Sequence, residues 1–370
     1  MPASLIPFMS YKKENSLFAK SIKQGMEKVF ALESEHAHQQ YVKTFEDDFA
    51  AYNGSRYVVG VNSGTTALEL SLKACGVRKG DEVILPAYTY ISTALAVSDL
   101  GAVPVFADIC EETLTLDPQS IKDNLTRKTK AVIPVHIHGN PCPMDEILGI
   151  AGGHKLAVIE DCSHAHGAEY KNKKVGNFGI GCFSCHSSKF FSGIGNSGII
   201  TLNNKALYER LQKMIRVEND PSPYLSNRTP CRMDAVQAAV LKVKLPYLDK
   251  VIRQKRQIAS RYIHELGAEV VQRENRKAGH VYRDFVVRHD KRLQLEDFLR
   301  KEGVETKVRY RVPLHLTKYY KSFPFKRKSL AVTEKVCPKL LCLPAGFSLA
   351  DDAIYRTCSL INGFRAITSA

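Results

Sequence analysis

The chain has 370 residues, a formal net charge of +15, 44% hydrophobic and 25% charged residues, and ten cysteines. That length is too great for one ordinary domain and leaves room for a sizeable core, so a two-domain soluble globular protein is expected. No apolar run approaches a membrane span, and ten cysteines in a chain this long do not make a disulfide scaffold. The segment Met1 to Lys13 lacks the charged-then-apolar order and cleavage site of a signal peptide, so a cytoplasmic location is expected. The basic residues are spread out, with short clusters at Lys171–Lys174, Arg253–Arg256 and Lys326–Lys328 and no zinc-finger spacing or RNA-binding aromatic signature. A nucleic-acid partner is therefore not expected; the surplus suits a solvated surface that draws in an anionic substrate.

In chain order, Tyr57–Val61 reads as a strand and Thr66–Ala74 as a helix stopped by Gly76. Strands rich in Val, Ile and Ala follow at Glu82–Leu85, Val103–Ala107, Ala131–Val135 and Leu156–Glu160, with helical patterns at Ser92–Leu100 and Asp145–Ala151 between them. Gly181–Cys185 and Gly198–Leu202 close the series. Such alternation predicts an α/β domain with a mostly parallel, buried sheet. Helices are expected over Met233–Lys244 and, after Pro246, to about Leu266. Beyond Gly267 the spacing predicts strands at His280–Arg288 and Thr306–Tyr310, and helices at Leu293–Lys301, Ala331–Leu340 and Ala350–Gly363. This reads as a large α/β domain over 1–245 and a smaller α+β domain over 246–370.

Three segments carry chemistry. In Val61-Asn-Ser-Gly-Thr-Thr-Ala67 a strand ends, glycine permits a tight turn, and a helix opens with Thr66 and Glu69 in capping-box spacing; such a helix N-terminus binds phosphate. Asp161 ends an apolar strand, at the edge where open α/β sheets place ligands, and a buried carboxylate there calls for a cationic or donor partner. Lys189 lies in a loop between Gly181–Cys185 and Gly193-Ile-Gly-Asn-Ser-Gly198. Phosphate turn, strand-end aspartate and loop lysine, in that order, point to pyridoxal 5′-phosphate (PLP) as cofactor. Tyr90 follows another strand end as a candidate stacking residue, and His164, just past Asp161, is placed over or beside the bound ring. His136, His138 and His166 read as ordinary polar residues near strand ends, with no third motif to complete a metal site. Cys182-Phe-Ser-Cys185-His186 has the form of a c-type haem attachment, which a cytosolic chain does not use.

These motifs, with Phe45-Glu46, Tyr52-Asn-Gly54, Gly80-Asp-Glu-Val83, Ala102-Val-Pro-Val105, Pro313-Leu-His315 and Leu343-Pro344, make the chain resemble the DegT/DnrJ/StrS family of PLP-dependent sugar aminotransferases. The resemblance implies the fold-type-I PLP-transferase architecture, a homodimer, and transfer of an amino group from glutamate or glutamine to a keto sugar or keto cyclitol. By position it implies Lys189 as the Schiff-base lysine, Asp161 as partner of the ring nitrogen and Tyr90 as the stacking residue. It also implies His164 near the ring hydroxyl, and Gly64, Thr65 and Ser184 around the phosphate. Family members with dehydration chemistry carry histidine at the lysine position; lysine here favours transamination. Three departures stand out: Gly195-Asn-Ser-Gly198 where the family reads Gly-Glu-Gly-Gly, Pro230 where an asparagine commonly reaches a phosphate across the dimer (with Asn227 or Arg228 as substitutes), and Val308-Arg-Tyr-Arg311 for Val-His-Tyr-Pro. All three border the substrate side or the dimer seam, and the altered loop after Lys189 motivates the alternative of a non-catalytic, PLP-binding regulatory protein.

Overall fold

A computed structural model describes residues 5–215, 231–267, 272–275, 277–322 and 330–369. Three helices come first: α1 Tyr11–Ser16, α2 Ala19–Phe30 and α3 Glu35–Asn53, the last capped by the Ser34 hydroxyl and ended by Gly54 in the left-handed region. The main alternation follows: β1 Tyr57–Val61, α4 Gly64–Ala74, β2 Glu82–Pro86, α5 Ile91–Ser98, β3 Val103–Ala107, α6 Pro118–Asn124, β4 Thr129–Val132, α7 Met144–His154 and β5 Ala157–Asp161. After the short strands β6 Glu169–Tyr170 and β7 Lys173–Lys174 come β8 Ile180–Ser184, β9 Gly198–Leu202 and α8 Lys205–Ile215. The chain continues with α9 Ala235–Lys244, α10 Leu248–Leu266, β10 Ala278–Gly279, β11 Phe285–Arg288, α11 Arg292–Lys301, α12 Lys318–Lys321, α13 Ala331–Val336, β12 Leu340–Leu343 and α14 Asp351–Ser369.

The seven-stranded sheet has the order β1-β9-β8-β5-β4-β2-β3, and only β9 runs against its neighbours. Six strands therefore deliver their C-terminal ends to one edge, where open α/β sheets bind ligands. Both faces are covered. Val59, Leu68, Leu72, Val83 and Leu85 pack on the side of α4 and α5, while Phe45, Phe49, Phe183 and Ile199 pack towards α3, α9 and α10. Burial on both faces explains why these strands read as continuous apolar runs. A two-stranded antiparallel sheet, β11 with β12, builds a separate cluster with α10, α11 and α14 around Tyr262, Phe285, Leu295 and Ile354. None of the described helices is long and apolar enough to cross a membrane.

Several sequence expectations shift. The Ser63 hydroxyl, not Thr66, caps α4, accepting from the Thr66 amide at 3.0 Å. The expected strand at Ala131–Val135 ends as a ladder at Val132; Pro134 has no N–H to donate. The strand expected over His280–Arg288 begins only at Phe285, because Tyr282 turns into the left-handed region at φ 46°. Thr306–Tyr310 forms no strand; Lys307 alone bridges Cys342, and Arg309 and Tyr310 turn towards Asp284 and Tyr88. The helix expected over Ala331–Leu340 stops at Val336, Pro338 sits in a single 3-10 turn, and Leu340 opens β12, a strand the sequence reading missed.

Candidate active site

The edge of the large sheet holds a cavity of about 430 Å³ lined by, among others, Gly64, Thr65, Tyr90, Asp161, His164, Ser184 and Lys189. All seven residues singled out from the sequence thus face one space, of a size suited to a small ligand.

At its floor, β1 runs into α4. Ser63 spends its hydroxyl on the Thr66 amide and its carbonyl on the Ala67 amide, and the Thr66 hydroxyl donates to Asn62 at 2.7 Å. This leaves the amides of Gly64 and Thr65, the first two of the helix, as the natural donors to an anion. Glycine is required here by space: a Cβ on Gly64 would lie 2.6 Å from Ser184 Cβ and 3.0 Å from its Cα. Gly198 is equally confined, since its Cβ would meet the Ser63 carbonyl at 2.4 Å.

Asp161 ends β5, with 5% of its surface exposed. One carboxylate oxygen accepts from the Thr93 hydroxyl at 2.8 Å and the other from the Ser163 amide at 3.1 Å. Its neighbour Glu160 points to the opposite face, as strand periodicity demands, and accepts from the amides of Gly176, Phe178 and Gly179, each at 2.8 Å. Glu160 therefore anchors the strand whose next residue faces the cavity.

Lys189 follows β8 in a loop pinned from several sides. Cys185 and Ser197 exchange backbone and side-chain hydrogen bonds, Gly193 donates to the Cys185 carbonyl at 2.9 Å, and the Gln237 side chain accepts from Ile194 at 3.0 Å. The lysine amine is held down to about 7, first by burial and then by the Arg283 guanidinium, with Asp161 and Asp284 pulling the other way. His164 accepts from the His138 amide at 3.3 Å, and burial, then Arg283 and Lys189, keep its ring neutral well below its usual range. Tyr90 sits at the rim as the residue before α5, 60% exposed.

The three other histidines are not ordinary strand-end polar residues: all are fully buried. His136 lies between Glu160 at 3.2 Å and the Cys142 amide at 3.0 Å. His138 bridges the Tyr88 hydroxyl at 2.9 Å and Asp284 at 3.1 Å. His166 packs against Phe183, Phe190 and Phe191, and burial lowers its ring to about 3. Two buried trios, His136–Glu160–Cys162 and His138–Asp284–Cys342, have ligand atoms close enough for a metal. In both, the histidine and carboxylate are already committed to the hydrogen bonds just given, which leaves little donor capacity for an ion.

The cavity also takes residues that sequence reasoning did not assign: Thr93, Ser163, His186, Asn196, Arg283, Arg309 and Tyr310. Arg309 lies in the Val308–Arg311 departure, which was a signal; Arg283 offered none, because it reaches the cavity and the Ser188 carbonyl from a part of the chain distant in sequence. Of the cross-dimer candidates, Asn227, Arg228 and Pro230 lie outside the described residues.

A nucleophilic amine near neutrality, a carboxylate held by two donors, and two free amides where no side chain fits suit a phosphorylated pyridine aldehyde. Comparison with known proteins agrees. Residues 20–362 match the profile of the DegT/DnrJ/EryC1/StrS aminotransferase family. The chain is 34% identical over 366 residues, 97% of it and 99% of the relative, to dTDP-3-amino-3,6-dideoxy-alpha-D-galactopyranose transaminase of Aneurinibacillus thermoaerophilus. It is 37% identical over 312 residues, 82% of it and 84% of the relative, to a protein of Geobacillus stearothermophilus named a pleiotropic regulatory protein. Among solved structures, S. venezuelae DesV in complex with a ketimine intermediate superposes with a TM-score of 0.90 at 31% identity, covering 98% of both chains.

Proposed function

Because the chain belongs to the DegT/DnrJ/EryC1/StrS aminotransferase family and is a PLP-dependent aminotransferase, we propose that it carries an amino group from glutamate or glutamine to a nucleotide-linked keto sugar or a keto cyclitol. The product would enter amino-sugar or aminocyclitol biosynthesis. The observation that carries this assignment is the convergence of Lys189, Asp161 and the Gly64–Thr65 turn on one cavity.

Lys189 would hold PLP covalently through its amine, and the same amine, once free, would serve as the base for the proton on the donor α-carbon and as the acid that returns it. Bound PLP supplies an electron sink for the electron pair left behind. Asp161, steadied by Thr93 and Ser163, would pair with the ring nitrogen. The Gly64 and Thr65 amides and the Ser184 hydroxyl would seat the phosphate, Tyr90 would cover one ring face, and neutral His164 would lie beside the ring hydroxyl. A homodimer in the cytoplasm, with a division into residues 1–245 and 246–370, completes the proposal. The separate cluster of β11, β12, α11 and α14 supports the division, and the dTDP-sugar relative supports a nucleotide-linked acceptor.

The test is to mix PLP-loaded protein with glutamate or glutamine and follow the loss of the yellow absorbance. Conversion is expected with the wild type and not with Lys189→Ala. The relative named a pleiotropic regulatory protein favours a second reading, a PLP-binding regulator. Cofactor retention with no conversion by any common amino donor would decide for the regulator.

A further inference from the structure

One wall of the cavity carries more positive charge than the chemistry assigned above uses. Asp284, 1% exposed, accepts from Arg283 Nη1 at 2.6 Å, from Arg309 Nη2 at 2.5 Å and Nε at 3.1 Å, and from His138 Nδ1 at 3.1 Å. Burial pushes this carboxyl up, but Arg283, Arg309 and the His138 hydrogen bond outweigh it and hold it well below the usual range. Burial, the largest influence on His138, keeps that ring from protonating at neutral pH. Two guanidiniums thus face one carboxylate, and two minus one leaves a single positive charge beside Lys189 and His164.

The surplus is concentrated at Arg283. Its side chain is 2% exposed, yet its Nε has no hydrogen-bond partner among the described residues, and its Nη2 reaches only the Ser188 carbonyl, at 3.4 Å. A buried cation with an unused donor is costly unless something answers it. The backbone around it is also forced. Tyr282 and His138 both lie in the left-handed region, at φ 46° and 56°, and Gly139 is crossed so closely that a Cβ there would meet the Arg283 amide nitrogen at 3.1 Å. Strain of this kind persists where surrounding structure fixes it, and it concentrates at ligand sites.

We propose that Arg283, backed by Arg309 through Asp284, forms a carboxylate-reading subsite: it binds a carboxylate of the reacting amino donor or keto acceptor and so sets substrate selection. The inference rests on the aminotransferase assignment. The guanidinium plane suits a carboxylate, for which an ammonium is a poor substitute.

Calorimetry of PLP-loaded protein with succinate and with succinamide tests the subsite without turnover. Wild type is expected to prefer succinate, and Arg283→Met to weaken succinate binding by roughly 10- to 100-fold, as for a lost hydrogen bond to a charged group. Arg283→Lys, which keeps charge but not the fork, should recover part of it. If the carboxylate is the donor's, Arg283→Met raises the glutamate concentration needed to discharge the yellow form. If it is the acceptor's, the loss falls on a keto-hexuronate relative to the neutral keto-hexose. Succinate binding that is equally tight in Arg283→Met, with PLP retained, overturns the proposal. Failure of the aminotransferase assignment has a different signature, absence of glutamate conversion in the wild type.

Discussion

A lysine amine titrating at about 7 has a measurable kinetic consequence. At neutral pH about half of it is free base, against roughly three in ten thousand for an ordinary lysine, so nucleophile is gained roughly a thousandfold. Covalent capture of PLP by cofactor-free protein, trapped with borohydride and counted by mass, should therefore rise through about pH 7 and level off within about one further unit. Burial is the main cause and Arg283 the second, so Arg283→Met removes a repulsive charge and moves the midpoint to higher pH. Asp161 acts in the opposite sense, so Asp161→Asn moves it lower. Stability gives the same sign. The folded amine binds its proton less tightly than the unfolded one, so the penalty is full below about 7 and fades as pH rises towards the ordinary lysine range. Lys189→Met should accordingly raise the Tm of cofactor-free protein more at about pH 6 than at about pH 9. A capture midpoint near that of free lysine, or an acid shift in Arg283→Met, would refute the reasoning.

Two further outcomes follow from packing. Gly64→Ala brings a Cβ within 2.6 Å of Ser184 Cβ, so it should cost about 1–3 kcal/mol in thermal unfolding and weaken PLP binding in an absorbance titration, with Ser184→Gly recovering part of both. Glu160→Gln puts an amide among three backbone donors and His136; unfolding should be easier by at least about 1–3 kcal/mol, the cost of one unsatisfied buried group, as read by denaturant titration.

The α/β alternation was legible because strands buried on both faces must be apolar throughout, as in Val58–Val61 and Ile199–Leu202. The fold class, the family and PLP dependence agree with the comparisons. Asp161 and the glycine-threonine turn stand at a strand end and a helix start, where local order constrains residue type; Lys189, in the loop after β8, was singled out by its place downstream of them, and all line one cavity. What escaped was set by contacts distant in sequence. The pairing of β12 with β11 depends on a partner about fifty residues upstream, and Leu340–Leu343 alone cannot be told from the end of a helix. Arg283 comes beside the Lys189 loop where the segment before β11 crosses Gly139, and nothing in the Arg283–Asp284 dipeptide announces that crossing.

That crossing separates where the wall stands from what it carries. Val281 donates to the Gly139 carbonyl at 3.1 Å, so the wall's path is fixed by one backbone pressed against another. Arg283 rides on that path without defining it, with Arg309 joined to it through Asp284, while Asp161 and the phosphate turn end strands of the sheet and Lys189 follows β8. Substrate preference can therefore be sought by varying Arg283 on a fixed strut, with the titration of Lys189 as the one property of the floor that shifts with it.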